Sequence, residues 1–60
     1  MTLGQREKEL QTLLATPQGK QELQGLADRY AAASFRVRPE RTSIVTYILV
    51  HERELGLIDG

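Results

Sequence analysis

His51, Glu52 and Glu54 form the densest group of potential metal ligands or proton carriers in the chain, and any chemistry would be sought there first. A catalytic zinc site needs three protein ligands and an open position, whereas this sequence offers one histidine and no cysteine. Neighbouring side chains on a helix diverge by about 100°, so His51 and Glu52 cannot chelate one ion well. The two-histidine i, i+4 zinc signature also cannot be built from a single histidine. The sequence therefore places His51 at the surface or in an interface. Ser34 and Ser43 are the available serine hydroxyls, and both stand where turn and cap chemistry already accounts for them. No glycine-rich phosphate loop or nucleophile elbow occurs. A chain of 60 residues also struggles to enclose a pocket of several hundred Å³ while keeping a core. The expectation is a protein that is not an enzyme, with no catalytic residue, metal or cofactor.

Arg36, Arg38 and Arg41 place three of the eight basic residues within six positions, beside Phe35. Guanidinium groups so gathered suit either the carboxylates of a protein partner or phosphates. Glu40 partly neutralises them, and the reading preferred is the charged rim of a protein interface, with phosphate contact as the alternative.

The elements that must position these groups follow from periodicity. Thr2 is a helix cap, and Leu10, Leu13 and Leu14 share one face of a helix over 3–15. Thr16-Pro17 ends it and starts the next, because proline disfavours helix in the residue before it and suits the first helical position. Leu23, Leu26, Ala27 and Tyr30 then follow the i, i+3, i+4, i+7 stripe, and the second helix runs through Ala33, giving an antiparallel hairpin. Gly19 and Gly25 fall inside it at about 1 kcal/mol each relative to alanine; the plainer reading is tolerated surface glycine, the other a close backbone approach. Phe35 and Val37 alternate with arginines before Pro39, which suits a short extended connector.

Thr42 or Ser43 caps a third helix over 44–55, closed by Gly56 with Leu57 as the apolar partner of that cap, and 57–60 is a short tail. A strand over 44–50, paired with 35–37, competes because Ile44, Val45, Thr46, Tyr47, Ile48 and Val50 all favour β structure. The helix is preferred because the pattern continues through His51 to Leu55 and is longer than most strands. The fold expected is therefore all-α: one small three-helix domain over 1–60, with a short extended connector before a strongly apolar third helix.

The first two turns of that helix are apolar nearly all round, and such a helix must be buried. Two narrow stripes on the other helices cover about half of it, which predicts a second chain on the rest; the alternative is that the connector folds over it, with Phe35 and Val37 filling the gap. Val45, Tyr47, Leu49 and Val50 are the expected interface. A domain this short buries only about 60% of its unfolded surface and often needs outside support. With no disulfide or metal to supply it, a partner chain remains. Eight acidic and eight basic residues cancel, so no net charge steers the protein to nucleic acid or an anionic membrane. No apolar run approaches the ~20 residues of a membrane span, the first residues are too polar for a signal peptide, and the lack of cysteine fits a reducing, cytoplasmic setting.

Leu26-Ala27-Asp28-Arg29-Tyr30, Thr42-Ser43-Ile44-Val45 and Leu55-Gly56-Leu57 resemble pieces of a bacterial helix-turn-helix domain. The resemblance implies a small dimeric nucleic-acid-binding regulator. The chain departs from that pattern by the long stretch 31–41 where a turn of a few residues belongs. It also has no asparagine, and no basic or amide side chain in 44–50 to read base edges. The preferred expectation remains a small protein–protein interaction or accessory module, self-associating through the third helix.

Overall fold

The computed structural model describes residues 1–34 and 42–59. Three helices form, α1 (Leu3–Leu14), α2 (Pro17–Ser34) and α3 (Ile44–Glu54), and each begins as its sequence dictates. At α1 the Thr2 hydroxyl accepts a hydrogen bond from the Gln5 N–H at 3.2 Å, while the Gln5 side-chain oxygen accepts one from the Thr2 N–H at 2.9 Å. This reciprocal capping box satisfies two donors that the first turn leaves without helical partners. At α2 the Thr16 hydroxyl accepts from the Gly19 N–H at 2.9 Å, with Pro17 in the first position where a missing N–H costs nothing. At α3 the Ser43 hydroxyl accepts from the Thr46 N–H at 3.1 Å. Residues 44–50 are thus helical, as preferred over the strand, and the chain is all-α among the described residues.

The corner between α1 and α2 explains one glycine and corrects its reading. A Cβ on Gly19 would collide with the Leu13 backbone carbonyl group, so this glycine is where the two helices meet backbone to backbone. Gly25 has open space around it, in keeping with a tolerated surface glycine.

Leu10, Leu23 and Ile48, one from each helix, are fully buried and form the centre of the core, joined by Ala27, Val45, Tyr47, Leu49 and Ile58. The α3 positions that face inward span about 200° of its circumference at 100° per residue. Thr46, Val50, Arg53 and Glu54 share the exposed remainder. A little more than half of α3 is thus covered, and the apolar residues expected on its bare side fall on the covered one, Val50 excepted. Two observations account for this: α1 and α2 both pack on α3, and the segment expected to be a tail also joins the core.

That segment is held in place. Gly56, at φ +77°, ends α3 in a left-handed turn in which the Leu57 N–H reaches the Glu52 carbonyl (2.9 Å) and the Gly56 N–H that of Arg53 (3.1 Å). Leu57 stays largely exposed and Ile58, next in line, turns into the core. Asp59 then pairs with the N-terminal residues in a single parallel bridge to Thr2. Its N–H donates to the Met1 carbonyl at 2.9 Å, and its carbonyl accepts from the Leu3 N–H at 2.7 Å. No helix among the described residues is long and apolar enough to cross a membrane.

Candidate functional site: a carboxylate held by three helices

Glu52 is the most buried charged side chain described, with 4% of the side chain exposed, and it lies on the inward face of α3 one turn beyond Ile48. A buried carboxylate survives only if paired and hydrogen-bonded. Arg6 of α1 meets it side-on, Nε to Oε1 at 2.7 Å and Nη2 to Oε2 at 2.9 Å, and the Tyr30 hydroxyl of α2 donates to Oε2 at 2.8 Å. The planar guanidinium matches the carboxylate with two parallel N–H bonds, an arrangement lysine could not make. Glu9 adds a longer, exposed contact to Arg6 at 3.4 Å. One carboxylate thus ties all three helices together.

His51 packs next to it. Its ring stacks on Tyr30 with centroids 5.9 Å apart and tilts against Tyr47 at 4.3 Å. Its Nδ1 lies 3.0 Å from the Tyr47 carbonyl oxygen, one turn back, which assigns the proton to that nitrogen. At 7% exposure His51 is a core residue, and the expectation of a surface or interface histidine is corrected.

The electrostatics show what this cluster can do. Burial pushes the Glu52 carboxyl upward, yet the hydrogen bonds from Arg6 and Tyr30 more than offset it and hold the group below its ordinary range. Tyr30 is pushed up to about 12, by burial first and then by its bond to the Glu52 anion. Arg6 is raised as well, chiefly through its hydrogen bond to Glu52 and against the effect of burial. A carboxylate whose two oxygens are occupied and whose affinity for protons is lowered is a poor general base, and a tyrosine whose proton is tightened is a poor acid. The cluster is chemically suited to holding helices in place.

Of the four residues expected at an interface, Val45, Tyr47 and Leu49 are 3%, 5% and 7% exposed and belong to the core. Val50 alone is accessible, at 47%. Arg36, Arg38 and Arg41, expected as a charged rim or phosphate contact, and the extended connector itself lie outside the described residues. Among the described residues no group of three metal-ligating side chains comes together. Among the described residues, the large apolar side chains that remain exposed are Met1, Leu55 and Leu57, each more than half exposed, and Val50. Met1 and Leu57 line one shallow depression together with Ile58 and the Arg6–Glu52 pair. Another lies along α1 between Met1 and Thr12.

No protein family, curated protein or solved structure matches this chain.

Proposed function

We propose that the chain is a small, non-enzymatic protein-interaction module that self-associates through the exposed Leu55 and Leu57, which follow α3, and through Met1, which shares a depression with Leu57. The observation that carries this reading is the exposure of those three side chains, Met1 56%, Leu55 62% and Leu57 60%; among the described residues Val50 is the one other large apolar side chain left exposed. Apolar surface gathered around a charged pair has the composition of an interface centre, where aliphatic or aromatic anchors sit beside arginine. The contact surface is thus moved from the first turns of α3 to its C-terminal end, with Val50 a separate exposed residue on the α3 flank. A net charge of zero removes the long-range repulsion that would keep copies apart. The absence of cysteine suits a cytoplasmic setting.

The reading is tested by following backbone amide signals while the protein is diluted. Signals from Met1 to Leu3 and Leu55 to Asp59 move with concentration, and those around Val50 do not. Movement confined to the Val50 flank, or none, refutes it. A steep fall of any DNA or RNA affinity with added salt would instead favour the nucleic-acid alternative, which rests on Arg36, Arg38 and Arg41.

A further inference from the structure

We infer that residues 57–59 are an exchangeable strap, which leaves its slot beside Thr2 and occupies the same slot on a second copy of this chain. The inference rests on the self-association proposed above and names its form. The strap has the anatomy of an exchangeable element. It follows a hinge, Gly56, held at φ +77° in a conformation from which glycine departs more readily than any other residue. Among the described residues it carries one buried anchor, Ile58, one backbone hydrogen bond at the hinge, from the Leu57 N–H to the Glu52 carbonyl, and two in the slot, from the Asp59 N–H to the Met1 carbonyl and from the Leu3 N–H to the Asp59 carbonyl. The ion pair between the terminal ammonium and Asp59 is long, at 4.0 Å, and its carboxylate is 87% exposed, so it adds little. Segments tied down by so few contacts open before the helices do.

The slot specifies its occupant. It pairs main chain with Met1 and Leu3 in parallel register and takes an aliphatic side chain into the core, as residues 57–59 show by filling it. A second copy supplies that same segment, and exchange of an identical element is a low-cost route to a dimer. The flanking Leu55 and Leu57, exposed in the closed chain, are brought against the second copy when the strap crosses over.

Thr2 and Asp59 are bridge partners with exposed side chains, so a disulfide between them reports whose strap fills the slot. The full chain carrying Thr2→Cys with Asp59→Cys is oxidised over a range of concentrations, and the linked peptides are identified by mass. Exchange yields interchain disulfides joining positions 2 and 59, whose fraction rises with concentration while the intrachain link falls. An exclusively intrachain link in a protein that still self-associates overturns exchange and leaves the contact through Leu55 and Leu57 standing. An exclusively intrachain link in a monomer overturns both, and no link at all overturns exchange because the strap is then not beside Thr2.

Discussion

Replacing Arg6 by methionine keeps the aliphatic length of the side chain and removes the guanidinium from Glu52. The carboxylate, 4% exposed, would keep only the Tyr30 hydroxyl as a donor. Stranding a buried charge in this way commonly costs about 3 to 5 kcal/mol. Arg6 is itself 20% exposed, so water reaches part of the pair and the lower end applies, about 3 kcal/mol. For a chain of 60 residues the whole stability is on the order of 3 to 9 kcal/mol, so Arg6→Met should remove about a third of it or more. The combination with Glu52→Met removes the stranded charge, fills its volume and should recover about 2 kcal/mol, the remainder reflecting the acceptor lost by Tyr30. Urea unfolding of wild type, both single variants and the double variant, followed by far-ultraviolet circular dichroism, measures the coupling. If Arg6→Met costs under about 1 kcal/mol, as an exposed pair would, and the two changes add to within about 0.5 kcal/mol, the three-helix joint is not what holds the fold.

The same carboxylate gives a pH dependence: because Glu52 is held below its unfolded value, its contribution is complete above that value and disappears as pH falls through the lower folded one. Acid titration of stability should therefore show a loss below about pH 4.5 that Glu52→Gln flattens. Gly25→Ala should stabilise α2 by about 0.5 to 1 kcal/mol, since its Cβ meets open space, whereas Gly19→Ala should destabilise through collision with Leu13; thermal melts of the two separate the cases. Tyr47→Ala should cost about 3 kcal/mol or more of folding, as a core aromatic does, while Val50→Ala stays within about 0.5 kcal/mol, a contrast read in the same urea experiment.

Local chemistry was legible and long-range pairing was not. The caps at Thr2 and Ser43, the Thr16-Pro17 restart and the Gly56 stop act within four residues of themselves, and sequence reading places the helix ends to within a residue of those observed. The joint between Arg6 and Glu52 spans 46 positions, and no local pattern announces it. A signal was nevertheless present. Arg6 stands between Leu3 and Leu10 on the apolar stripe of α1, Glu52 continues the Val45, Ile48, Leu49 stripe of α3, and Tyr30 ends that of α2. Three polar groups on three inward faces must find one another or remain unsatisfied. The surplus of apolar residues in α3 points outward in the sequence because the breadth of α1 and α2 packing on it and the inward turn of Ile58 are both long-range. A lone isoleucine among Leu57, Asp59 and Gly60 has no periodicity to mark it, and its burial depends on where the chain ends meet. Of the two readings open for Gly19 the close approach holds, and no local pattern favours it, since the Leu13 backbone that excludes a side chain there is brought close only by the hairpin itself.

Sedimentation equilibrium compares the wild-type chain with Leu55→Ser/Leu57→Ser and with Val50→Ser, all at tens of micromolar and above. If the contact surface is formed by Leu55 and Leu57, the wild type and Val50→Ser show a mass rising with concentration above 6.8 kDa, and the leucine double variant stays monomeric with its helical spectrum intact. A wild type that holds at the monomer mass throughout, or an association abolished by Val50→Ser and untouched by the leucine changes, contradicts the account.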